Sequence, residues 1–195
     1  MPLSNELWNA PASGGTATPT QLGVMFAGWA GGTYPTGGYS GLSNKINSSG
    51  VVASDTAAVA TANNSLAGAG FGEDKAIFAF GGDSTGNLNH SNLVSNSGVI
   101  SNEGVVASDT AGVGTARYAL AAAEFGGDKA IFAFGVTSGL TNLSNKVSNS
   151  GTVASDTSGV GTSRYSLDAA KFGGDKAIFG FGRTPGYTGI TNLVS

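Results

Sequence analysis

The stretch ASDTAGVGTARYALAAAEFGGDKAIFAFG, from Ala107 to Gly135, decides the fold because it occurs three times. It returns with few changes from Ala154 to Gly182 and, more loosely, from Ala53 to Gly81. In each copy, 19 residues separate the aspartate of the Ala-Ser-Asp-Thr segment from the aspartate of the later Asp-Lys pair. Repetition at a fixed internal spacing indicates a protein built from copies of one structural unit.

A second repeated block fills the connector between these copies. It reads SNKINSSGVV (43–52), SNLVSNSGVI (91–100), SNKVSNSGTV (144–153) and TNLVS (191–195). The aspartates of the Ala-Ser-Asp-Thr segments recur after 54 and then 47 residues, and the seven-residue difference falls around Gly81 to Ser101. A block of fixed length therefore alternates with a connector of adjustable length.

Each unit is predicted to contain four short strands. The run KAIFAFG alternates its side chains and is bounded by glycines, which is typical of a strand. The Gly-Gly-Asp-Lys turn before it (Gly126 to Lys129) accepts positive φ and implies a hairpin with Arg117 to Phe125. Asn92 to Ser95 gives a third strand, and Gly104 to Ala107 gives a short fourth.

The segment YALAAAEF, from Tyr118 to Phe125, could also form a helix, because Ala, Leu and Glu favour helices. Its counterpart from Asn64 to Phe71, NSLAGAGF, contains two glycines, each of which costs about 1 kcal/mol in a helix. Since repeated units share one architecture, we expect a strand in both places.

The chain resembles Kelch-like propeller repeats in particular residues. Arg117-Tyr118 opens a strand of small residues, a Gly-Asp turn follows, and an aromatic-rich strand then ends in glycine, which in one copy is the pair Gly81-Gly82. The spacing of 47 to 54 residues is also that of propeller blades. In its Gly-, Ser- and Asn-rich composition the chain is similar to repeats in predicted phage tail and virion proteins. The resemblance implies an all-β fold, a β-propeller of four four-stranded blades.

We predict a single domain over residues 1–195, with units at about 17–54, 62–108, 115–155 and 163–195 and an additional strand at 5–9. The last unit reaches only its third strand, and the N-terminal strand has no local partner. Pairing the two would complete the fourth blade and cover two exposed edges. The alternative is an open half-propeller that a second chain completes.

Composition excludes several kinds of functional site. The chain has no Cys and only one His, which excludes disulfides, thiolate zinc sites and sites with two imidazoles. A net charge of −3 gives no electrostatic footprint for nucleic acid or an anionic membrane. The sequence shows no catalytic triad, phosphate-binding loop or calcium loop. We therefore predict no catalytic, cofactor-binding or metal-binding residues and no enzyme.

More than half of the charged residues occupy equivalent positions in the repeats. They are Asp55, Asp109 and Asp156; Asp74, Asp128 and Asp175; Lys75, Lys129 and Lys176; and Arg117 and Arg164. One interpretation is a ring of identical ligand sites. The interpretation that we favour is structural, with Asp109 and Arg117 pairing or capping loop amides and Asp128 shaping a turn.

Aromatic and imidazole side chains in the connectors are candidate contact residues. Trp29, Tyr34 and Tyr39 lie in one Gly-rich connector, His90 in a second and Tyr187 in a third. Exposed aromatic faces beside Asn and Ser amides could bind sugar rings. The alternative is packing against neighbouring subunits, which the low surface charge favours.

These observations predict a non-enzymatic structural or attachment component of a larger assembly, such as a phage virion or tail, whose connectors make contacts from a rigid platform. One alternative is a lectin-like carbohydrate-binding propeller, and another is a filament subunit. The expected partners are other subunits, a host surface glycan or further copies of this chain, but neither nucleic acid nor a membrane. Because no signal peptide is recognised, we expect the protein in a virion or outside the cell.

Overall fold

The computed structural model describes residues 21–30, 38–47, 49–57, 59–72, 75–95, 105–159 and 161–195. Its strands are β1 (Gln21–Ala30), β2 (Gly38–Asn47), β3 (Ala67–Phe71), β4 (Lys75–Ala79), β5 (Gly82–Asp83), β6 (Gly86–Asn87), β7 (Ser91–Ser95), β8 (Val105–Val106), β9 (Ala121–Phe125), β10 (Lys129–Ala133), β11 (Ser144–Val147), β12 (Asp168–Phe172), β13 (Lys176–Gly180) and β14 (Thr191–Val194). Within these ranges no residue is helical, which confirms the predicted all-β class. Accordingly, the described residues include no helix that could span a membrane.

The strands form small antiparallel sheets in which neighbours along the chain pair with each other. The first unit contains β1 and β2, the second unit contains the sheet β3-β4-β7-β8, the third β9-β10-β11 and the fourth β12-β13-β14. In the third unit an irregular fourth strand continues the sheet, because Val153 and Thr157 bridge to Val147 and Ser144 of β11. The second unit is thus the four-stranded antiparallel sheet that the repeat predicted.

The ambiguous segment from Tyr118 to Phe125 contains a strand. Ala121–Phe125 is β9, and the equivalent residues Ala67–Phe71 are β3. This strand begins later than predicted from Arg117, because Ala119 has a φ of +53°, a left-handed conformation that is incompatible with a strand. The equivalent residues Ser65 and Ser166 have φ values of +52° and +49°.

The second, third and fourth units pack on each other through their first strands, with β9 contacting both β3 and β12. Ala122 belongs to the core shared with the second unit, whereas Ala121 and Ala123 belong to the core shared with the fourth. Because alternate residues of a strand point to opposite faces, a strand between two sheets must be apolar on both faces. The run of alanines in β9 meets this requirement and leaves little space between the sheets.

The fourth unit has one face that no other unit covers in the described part of the chain. Phe181 is 66% exposed and Phe172 is 55% exposed, whereas their equivalents Phe80 and Phe71 in the second unit are each 1% exposed. None of the described sheets closes on itself. The predicted strand at residues 5–9 lies outside the described residues, so closure into a four-bladed ring stays a prediction.

Candidate functional site

A polar network joins the loop before the first strand of a unit to the end of its fourth strand. In the third unit, Asp156 accepts hydrogen bonds from the Thr115 amide at 3.0 Å, from Thr115 Oγ1 at 2.5 Å and from Asn145 Nδ2 at 2.9 Å. Asn145 Oδ1 accepts a bond from Arg117 Nη2 at 2.6 Å. These four residues and their equivalents are the repeat network, which fastens together the two ends of one sheet.

The arginine of this network also connects one unit to the next. Arg117 is fully buried, and its Nε donates to the Phe134 carbonyl at 3.0 Å. Its guanidinium carbon lies 4.1 Å from the ring centre of Phe80 in the preceding unit. Burial lowers the pKa of Arg117 to about 10, while the nearby charge of Asp156 acts in the opposite direction. Arg117 therefore stays a buried cation with an aromatic contact on the neighbouring unit.

The second unit has the same network with one change. Asp109 accepts hydrogen bonds from the amide and hydroxyl of Thr61 and from Asn92 Nδ2. Partial burial raises the pKa of Asp109, but these hydrogen bonds outweigh it and hold the pKa below its ordinary value. Asn63 takes the place of the arginine and donates to the Phe80 carbonyl.

Of the two structural roles expected for Asp109, pairing with Arg117 or capping a loop amide, the structure shows the second, because Asp109 accepts from the Thr61 amide. The carboxylate beside Arg117 is that of Asp156, with 3.7 Å between Nη1 and Oδ1. The segment from Asp109 to Arg117 crosses from the second unit to the third. Asp109 therefore belongs to the network of the second unit, and Arg117 belongs to that of the third. In the first unit, Asp55 similarly accepts a hydrogen bond from Asn44 Nδ2 at 2.7 Å.

The aspartates of the Gly-Gly-Asp-Lys turns make a second contact between units. The Asp128 carbonyl accepts a hydrogen bond from the Gly72 amide at 2.8 Å, and the Asp175 carbonyl accepts one from the Gly126 amide at 2.6 Å. The hydrogen bond from the adjacent lysine lowers the pKa of each of these two carboxyl groups. Asp74 lies outside the described residues.

The connector of each unit begins with a hairpin whose base is built in the same way. In the second, third and fourth units, the residue after the glycine that closely follows the second strand pairs across the hairpin with a residue of the returning chain. In the first unit the corresponding residue, Trp29, lies within β1 and pairs with Tyr39 of β2. The four pairs are Trp29 with Tyr39, Gly82 with Asn87, Val136 with Leu140, and Arg183 with Tyr187. We call these eight residues, together with the described residues between the members of each pair, the connector face.

Neighbouring connectors touch each other. Asn87 Nδ2, in the second unit, donates to the carbonyls of Val136 and Thr137 in the third, at 3.3 and 3.4 Å. Asp83 stabilises its own hairpin, because its carboxylate accepts hydrogen bonds from the Thr85 amide and hydroxyl at 2.7 and 2.6 Å. The connectors of these two units therefore form one continuous surface.

Of the predicted contact residues that the structure describes, Trp29, Tyr39 and Tyr187 lie on the connector face, whereas His90 does not. Trp29 and Tyr39 are directly opposite each other on β1 and β2, and Tyr187 is 87% exposed at the base of the last hairpin. His90 lies by the repeat network instead, with Nδ1 3.8 Å from an Asp109 carboxylate oxygen. Tyr34 lies outside the described residues.

Sequence reasoning missed two residues beside Tyr187. The Arg183 guanidinium carbon lies 4.9 Å from the ring centre of Tyr187 and 5.7 Å from that of Tyr165. The available signal was positional, because Arg183 follows Gly182 just as Trp29 follows Gly28. The result is a surface cluster of two phenol rings and one guanidinium, with planar faces and several hydrogen-bond donors.

The chain matches neither a protein-family model nor a curated protein in the comparisons made. Among the residues that the structure describes, no three histidine, aspartate or glutamate side chains lie close enough together to hold a metal ion. Function must therefore be argued from the geometry of the connector face and the scaffold that supports it.

Proposed function

We propose that this chain is a non-enzymatic structural or attachment component of a larger assembly, of the kind found in phage virions and tails, and that its connector face makes the contacts. The observation that carries the proposal is the equivalence of the four hairpin bases. They hold an aromatic pair, a glycine with an amide, an aliphatic pair and an arginine with a tyrosine at the same structural position. The same scaffold thus presents different chemistry in each unit.

The scaffold beneath the connectors has features that favour rigidity. In the second, third and fourth units the connector is preceded by a residue with positive φ and a glycine, such as Phe134 at +67° and Gly135 at +106°, and in the third unit the buried Arg117 binds the Phe134 carbonyl. Loops held by a rigid scaffold are where proteins place binding residues. Differences between connectors then change the partner surface without changing the packing of the units.

For the whole molecule we propose a Kelch-like arrangement of four blades, in which residues 5–9 complete the last one. The third unit has neighbours on both faces, as a blade in a ring requires. The exposed face of the fourth unit, with Phe172 and Phe181, has the composition of the covered faces. A ring would cover it and would place the connectors of all four units around one rim.

Sedimentation of particles from the source of this chain tests the proposed function. We expect the chain to co-sediment with particles in a density gradient at a constant copy number. The double variant Arg183→Ala with Tyr187→Ala should lower its incorporation at least about tenfold, as two lost anchor side chains would. Its melting temperature should fall by no more than about 4 °C, because Tyr187 is almost fully exposed and Arg183 is only partly buried.

The matched control is Lys129→Ala, which removes an exposed cation paired only with its neighbour Asp128. It should leave both incorporation and melting temperature unchanged. If the wild-type chain stays at the top of the gradient, apart from every particle, then the proposal of an assembly component is wrong.

A carbohydrate-binding function is the second candidate, and the cluster around Arg183 favours it. Tyr165 and Tyr187 could stack on sugar rings while the guanidinium donates to hydroxyl groups, and a host surface glycan would then be the partner. A glycan array separates the two candidates. Sugar-dependent binding that Tyr187→Ala abolishes would favour the lectin. An array without any binding would favour an assembly component whose connector face binds other proteins.

A further inference from the structure

The fourth unit contains most of a carboxylate-binding site. Thr162, Arg164 and Asn192 are the equivalents of Thr115, Arg117 and Asn145, which hold the Asp156 carboxylate in the third unit. Among the described residues, no carboxylate is hydrogen-bonded to Thr162, Arg164 or Asn192. The atoms nearest to a Cβ added at Gly114 belong to the Asn145 amide and the Asp156 carboxylate, whereas the three nearest at the equivalent Gly161 all belong to the Asn192 amide.

Arg164 gives independent evidence that this site can accept an anion. It is fully buried, its Nη1 donates to Asn192 Oδ1 at 2.7 Å, and its guanidinium carbon lies 3.9 Å from the ring centre of Phe134. Its Nε is buried without a hydrogen-bond partner in the structure. Arg164 binds the Phe179 carbonyl through Nη2, whereas Arg117 binds the Phe134 carbonyl through Nε and has the Asp156 carboxylate nearby. A buried cation without a counter-charge is costly, so this site favours an anion.

The backbone beside this site also fits an added strand. In the third unit, Ser144 on β11 exchanges two backbone hydrogen bonds with Thr157, next to Asp156, at 2.9 and 2.8 Å. The equivalent strand of the fourth unit, β14, pairs only with β13 in the described residues. An extended segment can pair with such an edge, and pairing in the same register would bring its carboxylate to Thr162 and Asn192.

We propose that the N-terminal segment 5–9 binds along β14 and places the Glu6 carboxylate in this site, against Thr162, Asn192 and Arg164. This inference rests on the closed arrangement proposed above and deepens it by naming the residue that fixes the closure. The ligand of the site is therefore an extended acidic strand, of the same kind that residues 151–159 supply in the third unit.

Elimination among the acidic residues points to Glu6. The other carboxylates of the described residues are bound in their own networks, shape turns, cap β12 or pair with a lysine; they are Asp55, Asp109, Asp156, Asp83, Asp128, Asp175, Asp168 and Glu124. In sequence, Glu73 and Asp74 lie between β3 and β4, and Glu103 lies two residues before β8. Of the twelve acidic residues in the sequence, only Glu6 precedes the first repeated unit.

Glu6→Gln tests the inference, with Asp156→Asn as the positive control and the exposed Asp128→Asn as the negative control. We expect Glu6→Gln to lower the melting temperature by about 3–10 °C, similar to Asp156→Asn, because each variant removes a charged acceptor of hydrogen bonds. Asp128→Asn should leave the melting temperature within about 2 °C of the wild type.

A peptide identifies the ligand chemistry independently. After removal of residues 1–9, the peptide GTVASDTSG (residues 151–159) should bind and raise the melting temperature, whereas the same peptide with Asn in place of Asp should not. The intact chain should not bind either peptide, because its site is filled. If the shortened chain does not fold, Glu6→Gln in the full chain decides the question.

The outcomes separate the inference from the proposed arrangement. If removal of residues 1–9 destabilises the protein but Glu6→Gln does not, the closure stands and the role of Glu6 is wrong. An intact chain that binds the aspartate peptide, together with an unchanged melting temperature after removal of residues 1–9, overturns both. Equal binding of the two peptides would show that the site does not recognise a carboxylate. Particle association is measured separately, so the proposed function does not depend on these results.

Discussion

Arg117→Ala should lower the free energy of unfolding by about 3–5 kcal/mol, because it removes a large buried side chain and leaves buried hydrogen-bond acceptors unpaired. The guanidinium is fully buried, and its removal leaves the Asn145 Oδ1 and Phe134 carbonyl acceptors without their donors. It also removes the contact with Phe80, so the packing of the second unit on the third weakens along with the network within the third.

Urea denaturation measures this loss, and two further variants define its origin. Arg117→Lys should recover little stability, because an ammonium lacks the planar fork that reaches Asn145 and the ring of Phe80 together. Lys129→Ala, at an exposed ion pair, should change the free energy of unfolding by less than about 1 kcal/mol. A similarly small change for Arg117→Ala would show that the arginine does not hold the units together.

Gly135→Ala should destabilise the protein by about 2–5 kcal/mol, through backbone strain and overpacking together. Gly135 has a φ of +106°, which an alanine adopts only with strain. A Cβ at this position would also lie 2.7 Å from the Tyr118 carbonyl oxygen and 3.1 Å from Leu120 Cβ. Both obstacles belong to the segment that leads into β9, so the chain there has little room to move.

Gly139→Ala is the matched control four residues further along the same connector. Its φ is not in the left-handed region, and a Cβ there would meet nothing within 4 Å. Thermal unfolding of the two variants should therefore separate them clearly, with Gly139→Ala close to the wild type. Equal melting temperatures would show that the backbone at Gly135 accepts a side chain without strain, so that the start of the connector is not held rigidly.

The sequence predicted the elements of this fold well, because the signals for them are local. Alternation in KAIFAFG, the Gly-Gly-Asp-Lys turn and the two glycines in NSLAGAGF each act within a few residues, and the strands β4, β10 and β3 follow from them. The four-stranded order of a unit also follows, since short connections in a repeated block favour pairing of neighbours.

Contacts between units could not be read from the sequence in the same way. The aspartate beside Arg117 could be Asp109, eight residues earlier, or Asp156, 39 residues later, and only the crossing of the chain between units decides for Asp156. The positive φ of Ala119 has no sequence signal either. It arises from hydrogen bonds to both neighbouring units. The Ala119 amide donates to the Ser65 carbonyl of the second unit, and the Ala119 carbonyl accepts from the Ser166 amide of the fourth.

The connector face was predictable only in part. Trp29, Tyr39 and Tyr187 attract notice as aromatic residues in Gly-rich segments, but their shared position at a hairpin base appears only when the pairing is known. Arg183 was overlooked because what marks it as a contact residue is its stacking on Tyr165 and Tyr187. These two tyrosines are far apart in sequence, since Tyr165 precedes β12 and Tyr187 follows β13.

Amide hydrogen exchange tests most directly the central claim, that successive units pack face to face in register. The amides of Ala119 and Gly126 lie outside the strands, and Gly126 is in an exposed turn, yet each donates to a carbonyl of a neighbouring unit. We predict that both exchange at least about 100-fold more slowly than in an unstructured peptide, as the amides of a packed core do. Exchange of both at the rate of a free turn, with β10 still protected, would contradict the stacking of the units.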